Sequence, residues 1–152
     1  MTILWLDDKP DSTHYERDLI KKNNSDIKIL PFKLIGKLLA YLDDGNNSLD
    51  ANNTIFIIDV MLVGEWQFTF DDKTIPIHEE LMAGVEFYEN FLEKKYPTIP
   101  TILYTSRGGG DGIIFKRFVE NNKYNKTLFI IGKEEFETEF KSSIKNLGVK
   151  VW

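Results

Sequence analysis

Four short apolar runs in this chain each end on a chemically pointed residue, and that pattern constrains its fold more than any bulk property. Ile3-Leu4-Trp5-Leu6 runs into Asp7-Asp8, and Ile55-Phe56-Ile57-Ile58 into Asp59. Thr101-Ile102-Leu103-Tyr104 runs into Thr105-Ser106, and Leu128-Phe129-Ile130-Ile131 into Gly132-Lys133. A fifth run, Ile27-Lys28-Ile29-Leu30, carries a central lysine that marks it as an edge strand. Runs this short, rich in Ile and aromatics and separated by longer amphipathic stretches, read as strands of a parallel sheet buried on both faces. In open α/β sheets the ligand crevice lies beyond the carboxyl ends of the strands, where strand order reverses. Three carboxylates, a hydroxyl and an amine are therefore expected to meet in one pocket. That donor set suits a divalent cation and a phosphoryl group.

Between the strands the apolar period changes to that of helices. Pro10 suits the first turn of a helix reaching about Asn23, with Asp8 as its cap and Tyr15 and Leu19 facing the sheet. A second helix, about Lys33 to Asp43, places Leu34, Leu38, Tyr41 and Leu42 on one stripe. Val85, Tyr88, Phe91 and Leu92 mark a third, ended by Tyr96-Pro97. Ile114 and Phe118 mark a fourth, and Phe136, Phe140, Ile144 and Leu147 a fifth. This βαβ succession requires right-handed crossovers and hence a doubly wound α/β sandwich.

One segment breaks the rhythm. The stretch from Asp59 to Thr105 exceeds the roughly 30 residues of a βαβ unit, so something is inserted at about residues 60–83. Trp66, Phe68 and Phe70 alternate with Gln67 and Thr69; Asp71-Asp72-Lys73 offers a turn, and Thr74-Ile75-Pro76-Ile77 a return strand. The expectation is a β-hairpin with Pro76 on an edge. Its aromatics are either buried on the domain or left as an apolar patch flanking the pocket. The second alternative would give partner specificity and a five-stranded core that folds without the insertion.

Composition excludes several classes. The 152 residues contain no cysteine, so neither disulfides nor thiolate metal sites are available. A net charge of −5 argues against general attraction to nucleic acid or anionic lipid. No apolar stretch approaches the roughly 20 residues of a membrane span, and no signal peptide is recognisable, so the expected location is cytoplasmic.

An acidic pair after the first strand, an Asp after the third, a Thr after the fourth and a Lys after the fifth resemble the receiver domain of bacterial two-component response regulators. The likeness spans residues 1–152 as one domain, apart from the insertion. It implies a flavodoxin-like fold, with five parallel strands in the order 2-1-3-4-5 flanked by five helices. It also implies that Asp59 is the phosphoacceptor, that Asp7 and Asp8 are the metal-binding pair, and that Mg²⁺ is the cofactor. The main-chain carbonyl of Met61 becomes a further metal ligand, Thr105 the phosphate-sensing hydroxyl and Lys133 the family's lysine. The implied partners are a histidine kinase or phosphotransfer protein and a downstream protein, with the chain itself a monomer or weak homodimer. Because the sequence stops just after the fifth helix, output is expected through protein contacts rather than a nucleic-acid-binding or catalytic domain.

The chemistry stands without the family. A carboxylate attacks phosphorus only when the phosphoryl charge is neutralised and held in line. Three crowded carboxylates raise one another's pKa unless a cation joins them. Lys133 and Thr105 can each bind a phosphoryl oxygen, and contacts that strengthen only after phosphorylation are what a switch requires. The chain also departs from the family pattern. Glu134 replaces the usual cis-proline after the lysine, Ile130 replaces the aromatic switch residue, and Met61-Leu62-Val63-Gly64 replaces a Met-Pro-Gly-type turn. Glu134, Ile130 and the insertion favour one alternative, a pseudo-receiver that binds a partner without phosphorylation. Another is a haloacid-dehalogenase-type phosphohydrolase, but Asp7-Asp8-Lys9 puts lysine where that family's acid/base carboxylate belongs. The glycine loop 108–112 reads as a connection that rearranges rather than a nucleotide cradle. Arg107 and His78-Glu79-Glu80 read as solvated surface, and Val149 to Trp152 as a short extra strand or a packed tail.

Overall fold

The structure, a computed structural model, describes residues 1–45, 47, 49–106 and 113–146. Arg107, the glycine loop 108–112, Leu147 and the tail 149–152 lie outside the described residues, as does the side chain of Ile144.

In chain order the elements are β1 (Thr2–Leu6), α1 (His14–Asn23), β2 (Lys28–Phe32), α2 (Ile35–Asp43) and β3 (Thr54–Asp59). The inserted strands β4 (Gln67–Phe70) and β5 (Lys73–Pro76) follow. Helix α3 opens at Ala83–Phe87, passes through a π turn at Tyr88–Leu92 and closes at Glu93–Lys95. Then come β6 (Thr101–Thr105), α4 (Ile113–Asn122), β7 (Leu128–Gly132) and α5, which runs from a π turn at Phe136–Phe140 into Lys141–Asn146. The main sheet has the order β2-β1-β3-β6-β7, all parallel. With the two hairpin strands set aside, this is the expected 2-1-3-4-5, and β2 with its Lys28 is an edge. Strand order reverses between β1 and β3, so the crevice opens where Asp7 and Asp59 emerge.

Alternate residues of the buried strands feed two cores. Leu4, Leu6, Phe56, Ile58 and Leu103 pack with α2, α3, α4 and the hairpin. On the opposite face Ile3, Trp5, Ile57, Ile102 and Tyr104 pack with Ile20 of α1 and Phe136 and Phe140 of α5. No helix among the described residues is long and apolar enough to cross a membrane.

The insertion is a hairpin, and it belongs to the core. β4 and β5 pair antiparallel around Asp71-Asp72, both at positive φ (48° and 59°), as a two-residue turn matched to strand twist requires. Phe68 is buried, with its ring edge-on to Phe87 at 5.2 Å, and Phe70 meets Phe91 at 4.5 Å. Of the three aromatics only Trp66, at 62% exposure, faces solvent. The root of the insertion is pinned twice: Ile35 N–H donates to Glu65 Oε1 at 2.9 Å, and Gly64 N–H to Glu80 Oε1 at 2.8 Å. The expected patch of three aromatics flanking the pocket therefore does not form.

Several helix expectations need correction. The first helix begins as a 3₁₀ turn (Pro10–Thr13) and has no side-chain cap, so Asp8 does not cap it. Tyr15 is exposed, and Ile20 takes the buried position. Leu34 sits exposed ahead of α2, which buries Ile35, Leu38 and Leu39 instead. Ile114 is exposed while Phe115 and Phe118 are buried. The 3₁₀ turn ahead of α1 shifts the stripe from the register read from spacing, and Leu34 is the extended residue ahead of α2, outside the helix. β2 also starts one residue later than Ile27 and extends to Phe32.

Candidate functional site

Asp7 follows β1 directly and Asp59 ends β3, and the register Leu6↔Ile58 sets them side by side. Both are nearly buried, at 1% and 5% exposure. Asp8 is half-buried, and one carboxylate oxygen from each of Asp7, Asp8 and Asp59 lies within 4.8 Å of the others. Thr105, also buried, pairs with Gly132 in the register of β6 and β7, which puts Lys133 one residue beyond. The peptide after Lys133 is trans, the form that a residue other than proline favours. The ammonium nevertheless enters the pocket: Lys133 Nζ donates to Asp59 Oδ2 at 2.7 Å and stands 3.6 Å from Asp7 Oδ2. A 3₁₀ turn at Lys133–Glu135 directs it there.

Backbone groups hold the carboxylates in place. Lys9 N–H donates to Asp7 Oδ1 at 2.8 Å and Met61 N–H to Asp59 Oδ1 at 3.3 Å. Gly84, in the first turn of α3, presses on the end of β3, and its N–H donates to Val60 at 2.9 Å. A Cβ on Gly84 would lie 1.9 Å from the carbonyl oxygen of Asp59, so only glycine fits.

The electrostatics are unbalanced. Burial raises the pKa of Asp59, and Asp7 adds to the rise, against the hydrogen bond and charge of Lys133. Burial likewise raises Asp7, again opposed by Lys133. Burial disfavours the Lys133 ammonium, yet its bond to Asp59 and the charges of Asp59 and Asp7 outweigh this and hold its pKa above the ordinary value. Among the described residues one ammonium is set against three carboxylates, and Asp7 Oδ2 is buried with no hydrogen-bond partner. Buried acceptors are rarely left so. The donor set and this orphaned oxygen fit a small hard cation such as Mg²⁺, which prefers a few carboxylates, a carbonyl and water.

Three residues escaped the sequence reading. Gly84 looked like any helical glycine; its signal was its place in the first turn after the insertion. Tyr104 read only as strand core, yet its ring lies 5.2 Å from Lys133 Nζ and its hydroxyl donates to Glu16 Oε1 at 2.9 Å. Burial and the Glu16 contact push that phenol well above its ordinary pKa. Glu16 had no local signal at all. His78 is exposed, as expected, but its ring and the backbone N–H groups of His78 and Glu79 all engage Glu86.

Comparison with known proteins agrees with this geometry. No family model matches the sequence, and no curated protein does. Solved structures do match. A response regulator receiver protein from Pseudoalteromonas atlantica aligns with a TM-score of 0.58 and 16% identity, over 97% of this chain and 96% of that one. This chain has the receiver fold. RcsB from Salmonella enterica serovar Typhimurium, solved bound to promoter rprA with a phosphomimetic, gives a TM-score of 0.63 at 15% identity, covering 98% and 99%. TrrA from Thermotoga maritima, in complex with Mg²⁺ and beryllium fluoride, gives 0.57 at 16%, covering 96% and 97%. The receiver fold is thus shared at identities too low to carry function across by themselves.

Proposed function

We propose that this chain is a receiver that accepts a phosphoryl group on Asp59 and signals by protein contact. The observation that carries this reading is the cluster itself: three carboxylates gathered at the switch point, with Lys133 Nζ 2.7 Å from Asp59. Asp7, Asp8 and Asp59, with the main-chain carbonyl of Met61, would hold Mg²⁺. That ion, when bound, neutralises phosphoryl charge. An Asp59 carboxylate oxygen forms the new bond to phosphorus as the P–N bond to the donor's phosphohistidine breaks, and the imidazole nitrogen keeps that electron pair. Lys133 and Thr105 then hold phosphoryl oxygens by a charge-assisted and a neutral hydrogen bond. The donor is a histidine kinase or phosphotransfer protein, and the state is read by a downstream protein partner. This is phosphoacceptor chemistry rather than substrate turnover.

Intact mass after treatment with acetyl phosphate and Mg²⁺ tests the reading. The wild type should gain one phosphoryl group and Asp59→Asn none. No gain in the wild type would favour the pseudo-receiver, which Glu134 and Ile130 support. Steady turnover of p-nitrophenyl phosphate would instead favour a phosphohydrolase.

A further inference from the structure

A receiver needs a part that moves when the pocket changes, and Ile130 offers no aromatic ring for that purpose. Ile130 also packs on the α2, α3 and α4 face of the sheet. The aromatic that touches the site is on the other face. Tyr104 is fully buried, its ring 5.2 Å from Lys133 Nζ and edge-on to Trp5 at 5.7 Å and to Phe136 at 5.4 Å. Its hydroxyl is bonded to Glu16 of α1. The ring therefore sits between the ammonium and one helix, enclosed by aromatic neighbours.

The polar surroundings are incompletely satisfied. Glu16 Oε2 is a buried acceptor with no hydrogen-bond partner, and Trp5 Nε1 is a buried donor with none. Unpaired buried groups are costly, so the surroundings of the Tyr104 ring hold unmet hydrogen-bonding capacity on both Glu16 and Trp5. Lys133 now divides its charge between Asp59 and Asp7. Once a cation and a phosphoryl group engage those oxygens, the ammonium must take a new position and the ring beneath it loses its present contact.

We infer that Tyr104 is a positioning residue for Lys133 and transmits the state of the pocket to Glu16, so that α1 is the element that responds. The effect of phosphorylation rests on Asp59 being the phosphoacceptor; the Lys133–Tyr104–Glu16 linkage does not. The response would extend to the start of α5, because Tyr15 OH donates to Glu137 Oε1 at 2.7 Å.

The test uses amide chemical shifts of the full chain in two arms. In the first, Asp59→Asn weakens the anchor of Lys133 without any ligand. It should shift the α1 amides around Glu16, and the shift should fall by more than half when Tyr104→Phe or Glu16→Met is added. Glu16→Gln, whose carbonyl still accepts from the phenol, should restore it. Equal α1 shifts with and without the Tyr104 hydroxyl would overturn the inference, as would no α1 shift at all. In the second arm, Mg²⁺ with beryllium trifluoride should move α1 in the same Tyr104-dependent way. If those probes leave the Asp59 and Met61 amides unmoved, the phosphoacceptor reading fails while the first arm still decides the linkage.

Discussion

The pocket and the hairpin start from the same strand end and are built on opposite terms. Asp59 enters a group of three carboxylates with, among the described residues, one ammonium, which is ion-paired at 3.6 Å with an Asp7 oxygen that has no hydrogen bond. A few residues later, Phe68 and Phe70 lie among rings of α3 in ordinary edge-on contacts. One region retains unfavourable electrostatics that folding alone would not select; the other removes apolar surface from water and costs nothing of that kind. Insertion after the strand end that carries the candidate site is therefore no sign of a functional insertion. Unsatisfied polar atoms are the better guide.

The largest effect should come from the hairpin. Phe68→Ala empties a position enclosed by Phe87 and Phe91, and should destabilise the chain by about 3–5 kcal/mol in denaturant unfolding. Replacing residues 65–78 by a short Gly-Ser linker should do more and prevent stable folding. A deletion variant that melts like the wild type would erase the contrast.

Gly84→Ala probes the seam between the two regions. The added methyl meets the carbonyl of Asp59, so α3 or the end of β3 must shift, at about 1–3 kcal/mol. Unlike Phe68→Ala, it should also weaken binding of Mg²⁺ or Mn²⁺, measured by the metal-induced rise in melting temperature.

Asp59→Asn should act with the opposite sign. Asp59 and Asp7 have folded pKa values raised above 3.8, so the folded chain holds protons more tightly than the unfolded one. Their contribution is fully present below that value and is lost as pH rises through the raised folded values. At neutral pH the metal-free variant should therefore melt a few degrees above the wild type, and the gap should close as the pH falls below 4. A variant less stable than the wild type at neutral pH would show that Lys133 already compensates the cluster. Lys133 needs similar care, because its removal leaves two buried carboxylates facing each other. Lys133→Ala should lose stability without metal and regain it with Mg²⁺, rather than remain neutral.

Trp66→Ala marks the small end of the scale. An exposed ring outside both regions should change stability by no more than about 0.5 kcal/mol. A large loss would place Trp66 with Phe68 in the core.

Strand ends were legible because a buried parallel strand must be apolar until it leaves the sheet, and the first polar residue then marks its carboxyl end. That rule located Asp7, Asp59, Thr105 and Lys133, and topology brought three of them into one cluster. The hairpin was legible from alternation around Asp71-Asp72. Helix faces were less so: Tyr15, Leu34 and Ile114 carry the right residue type but are exposed, and Ile20, Ile35 and Phe115 take the buried positions instead.

The sequence by itself determined the order of elements, the sheet and the set of groups at its carboxyl end, since these follow from short-range periodicity and chain connectivity. Only the tertiary structure decided that Phe68 is core, that Gly84 must lack a side chain beside Asp59, and that Tyr104 joins Lys133 to Glu16. Each of these depends on which atoms from distant segments touch, and local pattern holds no record of that distance.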